Sequence, residues 1–352
     1  MQSINSPARQ RLTRVVVGAA LGFAIAMAAD AAADPSPCPD VITSCGCRIT
    51  KSQIYTVGND LSAAQTSEPN CIEIAKDHAI LNTEGWALLG NGSTGVGILI
   101  RPGADHVIVE GGEEADNNPP INPSGGTPAD SPAIDSHPPQ STVALWNIGI
   151  EDDADDATIL LFANIGGSFF QQDQGNITGG VLLRGVKRSV IGDFRANFNG
   201  QFGVMLDHCS HIQINNIATV MNGQNGLVLD RSDNNRIGPA TAGGNSKLGT
   251  WLFVSSDNVI HDDASAGNSG TGTVLGCSPD TKNCPGNERS NHNRIVNSAA
   301  AGNKNAGVVI RKHSESNTVT VNHNDGNGGK KMDMVDENNK CDSNIWYNNT
   351  GQ

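Results

Sequence analysis

Five polar residues occupy matching places in three successive segments of this 352-residue chain: Arg184, then Asp207 with His208, then Asp230 with Arg231. Each carboxylate directly follows a short apolar run, Gly203-Val204-Met205-Leu206 or Gly226-Leu227-Val228-Leu229, and Arg184 follows Gly180-Val181-Leu182-Leu183 in the same way. If these runs are neighbouring strands, the two carboxyls lie about 5 Å apart. That is the spacing of retaining glycoside cleavage, whereas inverting enzymes use roughly 6.5–9.5 Å. Like charges this close raise one pKa and could leave an acid beside a base, whereas the flanking Arg residues could instead keep both ionised. Asp207 and Asp230 are therefore the candidate catalytic pair, with His208 as auxiliary base. Arg184 and Arg231 could grip a substrate carboxylate in bidentate fashion, and Trp251 is the aromatic ring available for sugar contact. The competing reading is a solvated row of ion pairs finishing the strand ends, worth little each.

The elements that must position these residues repeat. Strand-like runs begin at Gly180, Gly203, Gly226, Thr250, Gly272, Gly307 and Lys331, with steps of 23, 23, 24, 22, 35 and 24 residues. The long step contains Cys277 and Cys284, an excursion over 276–290 of the kind stacked arrays tolerate. A second strand is anchored at Ile191, Ile214, Ile237, Ile260, Ile295 and Val319. Eight residues after each anchor stands an Asn: Asn199, Asn222, Asn245, Asn268, Asn303 and Asn327. Stacked turns would let each Asn bond the equivalent residue one circuit away.

A period near 23 residues, with Gly and Asn turns, predicts a strand–turn–strand–turn–strand circuit stacked by parallel pairing. The Gly-led apolar strands, the Asn-x-Ile anchors (Asn235-Arg236-Ile237, Asn293-Arg294-Ile295) and the Asn column resemble the right-handed parallel β-helix, or pectate-lyase-like, superfamily. The resemblance covers residues ~70–350 and implies an all-β solenoid. It also implies a glycan acted on along the solenoid flank, by a polysaccharide lyase or glycoside hydrolase. The Asn-Thr-Asp, Gly-His-Gly and Arg-Ile-Lys motifs of polygalacturonase-like hydrolases are absent. Leu206-Asp207-His208-Cys209-Ser210 is loosely similar to the Trp-Ile-Asp-His segment of pectate lyases, but their Arg-x-Pro-x-x-Arg segment is absent, which leaves a lyase base unassigned. The alternative is a non-catalytic secreted binding or surface-interaction module.

Alternation within the first strands puts positions two and four inward, including Trp251 and Phe253, and position three outward. The outward row (Leu182, Met205, Val228, Leu252, Val274, Val309) is apolar, so something must cover it. Cover within the chain, by the Pro-rich excursion, is the plainer reading; a homo-oligomer interface or an apolar ligand is the other.

Arg9, Arg11 and Arg14 precede the apolar run Val15 to Ala29 and the Ala31-Ala32-Ala33 cleavage pattern, so residues 1–33 read as a signal peptide and the protein as secreted or periplasmic. Residues 34–69 read as an N-terminal cap and 70–352 as the β-helix. Its excursions fall at 111–141, rich in proline, and at 276–290. Eight cysteines in an exported chain point to disulfides, with Cys277 and Cys284 bracketing a turn-rich loop. Cys38, Cys45, Cys47 and Cys71 lack the paired C-x₂-C spacing of a zinc site. A net charge of −13 argues against a nucleic-acid or anionic-membrane binder, and no second long apolar run offers a membrane span. No cofactor motif stands out. Ca²⁺ is the metal to expect if one binds, on Asp207 and Asp230 or on the acidic stretch Glu151 to Asp156. His261-Asp262-Asp263 sets Asp263 in a row otherwise filled by Ile217, Ala240 and Ser298, where a carboxyl needs a partner.

Overall fold

Gly and Asn interrupt the chain every few residues, so the backbone satisfies its polar groups by pairing with the next circuit rather than within a helix. The computed structural model describes residues 34–62, 66, 70–84, 86, 88–89, 96–111, 144–145, 148–150, 158–166, 179–281, 284–320, 323–328, 333–338, 343–347 and 349. The proposed signal peptide, most of the Pro-rich excursion, the acidic stretch from Glu151, Trp146 and Cys341 lie outside these residues.

The chain is an all-β parallel solenoid. One sheet, here the front sheet, stacks twelve parallel strands, among them Gly179–Arg184, Phe202–Asp207, Asn225–Asp230, Thr250–Phe253, Thr273–Leu275, Val308–Ile310 and Met334–Asp336. A second column carries Ile191, Ile214, Ile237, Ile260, Ile295 and Val319 in direct register, as the sequence predicts. A third column aligns Phe194, Ile217, Ala240 and Asp263. The five short strands between Ser36 and Ser62 already pair in parallel with later circuits, Cys47 opposite Ile72 and Ile54 opposite Ile80.

The interior is a stack of aliphatic side chains, Val204, Leu206, Leu227, Leu229, Ile237 and Ile260 among those fully or almost fully buried. Its corners are polar, and each polar group is matched to its equivalent one rung on. The Oδ1 atoms of Asn222, Asn245, Asn268, Asn303 and Asn327 each accept the backbone N–H and the Nδ2 of the preceding ladder Asn at 2.8–3.0 Å. A second column, Asn235, Asn258, Asn293, Asn317 and Asn344, bonds in the same pattern at 2.9–3.2 Å. A third runs through hydroxyls: Ser232, Ser255, Ser290 and Ser314 each accept the N–H of the residue one rung earlier at 3.0–3.1 Å. The first ladder explains why Gly leads the front strands. A Cβ at Gly249 would come within 2.7 Å of Gly272 O and 2.8 Å of Asn268 Nδ2.

Two sequence expectations need correction. The front strand Thr250–Phe253 is set one residue off the register the sequence suggests: Gly249, not Thr250, is the equivalent of Gly226, and Val228 pairs with Trp251 and Leu229 with Leu252. Leu252 is therefore buried inward, and Trp251 and Phe253 face outward, half-buried. A one-residue slip exchanges the faces of a strand. The last front strand is displaced by two residues, so that Met334 stands opposite Val308. The row after the strand cores thus continues from Asp230 to Phe253 rather than Val254, and ends at Glu337 rather than Val335.

Cysteine chemistry resolves as disulfides: Cys38–Cys47, Cys45–Cys71 and Cys277–Cys284. The four early cysteines are consumed in bridges, so the zinc alternative falls. Cys209 is buried and occupies the hydroxyl column just ahead of Ser232.

Candidate functional site

The front sheet brings the sequence-predicted residues together on its outer side. Asp207 pairs in register with both Arg184 and Asp230, so the three stand on consecutive rungs. His208 and Arg231 follow at the first corner, where the backbone turns through left-handed geometry (φ 56° and 47°) and carries both side chains out of the sheet plane. Val254 takes the same bend at φ 52°, an unfavourable conformation for a β-branched residue that the stacking above and below enforces.

Arg184 Nε donates to Asp207 Oδ2 at 3.1 Å, and His208 Nδ1 contacts the other oxygen, Oδ1. Arg231 Nη1 donates to Asp230 Oδ1 at 2.9 Å. The Arg231 guanidinium also lies 5.6 Å from the Phe253 ring centroid, and Phe253 packs against Trp251 at 5.3 Å between rings. Partial burial raises the pKa of Asp230, and the negative charge of Asp207 raises it further, against the opposing pull of Arg231 and His208. Burial outweighs the guanidinium, so the Asp230 carboxyl holds its proton more tightly than a free carboxylate. The bases of both carboxylates rest on an apolar strip, with Val228 buried and Leu182 and Met205 half-buried.

Sequence reasoning missed three features here. Phe253 belongs to the site, and its signal was the 23-residue step from Asp230. The Trp251 indole Nε1 donates to Gly276 O at 3.0 Å, so this ring is braced against the disulfide loop. Arg311, in the same row, is buried and donates through Nη1 to Pro279 O at 3.2 Å and through Nη2 to Thr281 O at 2.7 Å, with Nε 3.0 Å from Glu337 Oε2. These contacts hold the loop from Gly276 against the outer-face row, and on the same face Val274 and Val309 are buried together with Leu248 and Ala306, against Trp251 and Val335.

Among the described residues, no group of three or more His, Cys, Asp or Glu side chains is arranged to hold a metal ion. No helix among them is long and apolar enough to cross a membrane.

No family model matches the chain, and no curated protein matches it. Solved structures with a similar course include the Dettilon tailspike protein, with a TM-score of 0.49 and 13% identity over 76% of this chain and 48% of that one. A mutant of the periplasmic alginate epimerase AlgG gives a TM-score of 0.48 and 12% identity over 83% of this chain and 72% of that one. The A-module of the Azotobacter vinelandii mannuronan C-5 epimerase AlgE4 gives 0.34 and 14% over 88% and 87%. This chain spans about half the length of the tailspike it matches.

Proposed function

We propose that this is an exported β-helix protein that acts on an acidic polysaccharide lying along the outer face of the front sheet. The observation that carries the reading is the in-register carboxylate pair, Asp207 and Asp230, with guanidinium groups on both sides and the Asp230 pKa raised by burial. In a hydrolase, Asp230 protonates the leaving glycosidic oxygen while Asp207 attacks the anomeric carbon or activates water. In a lyase, the ionised Asp207 or His208 removes the proton beside the sugar carboxylate, which Arg184 or Arg231 neutralises. Trp251 and Phe253 offer apolar rings against sugar faces. Should Ca²⁺ take part, Asp207 and Asp230 are the oxygen donors suited to it.

The test is incubation of the full chain with a panel of uronate polysaccharides, with and without Ca²⁺, reading reducing ends and unsaturated uronate absorbance. Asp230→Asn is expected to lower any turnover by about 10²–10⁴-fold. A panel without product refutes the enzyme reading.

A second reading, a non-catalytic glycan-binding module, draws on one observation: both carboxylates are already occupied by ion pairs, Arg184 with Asp207 and Arg231 with Asp230. Binding without turnover, unaffected by Asp230→Asn, would select it.

A further inference from the structure

We infer that the Cys277–Cys284 loop is a wall that ends the outer-face site, so that the site receives the end of an acidic glycan chain rather than its middle. The inference deepens the polysaccharide reading above and rests on it.

The loop is held against the sheet by independent contacts. The Trp251 indole fixes Gly276 O, the Arg311 guanidinium fixes Pro279 O and Thr281 O, and the Cys277–Cys284 bridge closes the base. The approach is close at Gly276: a Cβ there would lie 2.6 Å from Ser314 Oγ and 2.9 Å from Arg311 Cβ, and its φ of 110° suits glycine alone. Arg311 is itself 7% exposed, so the clamp is inside the packing rather than on its surface. At these rungs Val274 is 1% and Val309 9% exposed, packed with Leu248, Ala306, Trp251 and Val335, whereas Leu182 and Met205, upstream on the same face, are half-buried.

A polymer running along the coil axis over Arg184, Asp207 and Asp230 therefore reaches Phe253 and then meets the loop at the rung of Gly276. From Arg184 to Phe253 is three rung steps, about 14 Å at ~4.8 Å per step, the length of a trisaccharide. A groove open at both ends would bind longer chains progressively better. A walled one stops gaining once the short run of subsites is filled.

Calorimetry of the full chain with oligogalacturonates and oligomannuronates of two to eight units measures this. Affinity should rise to three or four units and then change by less than about twofold. On the parent polymers, the stoichiometry should be one protein per chain regardless of chain length. Replacing residues 278–283 by two glycines, together with Cys277→Ala and Cys284→Ala, should restore a rise of about tenfold from trimer to octamer and allow several proteins per polymer. Affinity that climbs through the octamer in the unaltered protein, or several proteins per polymer, overturns the wall. A plateau unchanged in the loop-shortened protein overturns it too. The polymer stoichiometry needs only the unaltered protein, so the inference stays open to refutation even if the variant fails to fold. Absence of binding by every oligomer and polymer instead removes the polysaccharide reading itself, and the wall's role with it.

Discussion

Asp263 is a carboxyl inside the solenoid, in the column that holds Ile217 and Ala240, and its replacement should change stability in a pH-dependent way. Its side chain is fully enclosed: Oδ2 accepts from Thr250 Oγ1 at 3.1 Å and Ser265 Oγ at 2.8 Å, while Oδ1 has no hydrogen-bond partner. Its hydrogen-bond partners Thr250 and Ser265, the backbone N–H of Ala264, Ser298 at its own N–H and Ala240 opposite it are all uncharged. Burial therefore dominates and lifts its pKa from 3.8 to about 6. A raised carboxyl pKa means that the folded state holds the proton more tightly than the unfolded chain. The stabilisation is complete below about pH 4 and is lost as pH rises through about 6. Going from 3.8 to about 6 corresponds to about 3 kcal/mol at 1.36 kcal/mol per tenfold change in proton affinity. Asp263→Asn keeps the shape and the acceptor for Thr250 and Ser265 but cannot ionise. The protonated acid brings one donor and the amide two, so the variant leaves one more buried donor unmatched than the acid does, a cost of about 1 kcal/mol. The variant should be slightly less stable than the parent at pH 4 and about 2 kcal/mol more stable at pH 7.5. Guanidinium unfolding with disulfides intact, run on both proteins across that range, isolates the effect, because every other titrating group cancels in the difference. A difference that does not vary with pH would refute the assignment of an enclosed, unpaired carboxyl.

Other perturbations probe the ladders, the register and the clamp. Asn245→Ala strips the acceptor from the N–H and Nδ2 of Asn222 and the donor from Thr219 O. With about 1–3 kcal/mol for each buried orphan, it should cost about 4 kcal/mol or prevent folding, as read by denaturant unfolding and soluble yield. Leu252→Ala should cost about 2–5 kcal/mol as a core truncation, whereas the outward Trp251→Ala should cost clearly less. The reverse order in thermal unfolding would reject the register reported above. Arg311→Met should free the loop carbonyls and speed reduction of Cys277–Cys284 by dithiothreitol. Amide exchange at Val274 and Val309 should rise as well, with little change in the second and third strand columns.

Much of the architecture is readable in the primary structure because a solenoid repeats its constraints. A buried Asn side chain has to find a donor and an acceptor, and in a stacked coil the nearest suitable group is the same residue one rung on. Asn199, Asn222 and Asn245 therefore announce their own column. The Ser232, Ser255, Ser290 and Ser314 column carried the same signal but was harder to see, since serine also populates ordinary turns. The site row was legible through Asp230, where the period is unbroken. It was lost one rung later, because Thr250 stands where a reader expects the strand to begin while its true equivalent, Gly249, closes the preceding turn. That slip reversed Trp251 and Leu252 and hid Phe253 from the site.

Spacing alone determined the parallel coil, the inward aliphatic stack and the meeting of Arg184, Asp207, His208, Asp230 and Arg231, since these depend on interactions between identical positions of successive circuits. Only the tertiary structure decided where the 276–290 loop lies, how the four early cysteines pair, and that Asp263 is met by two hydroxyls and no charged group. Those outcomes depend on contacts between positions that do not repeat, Arg311 with Pro279 and Thr281 or Trp251 with Gly276, and no periodicity in the chain encodes such pairs.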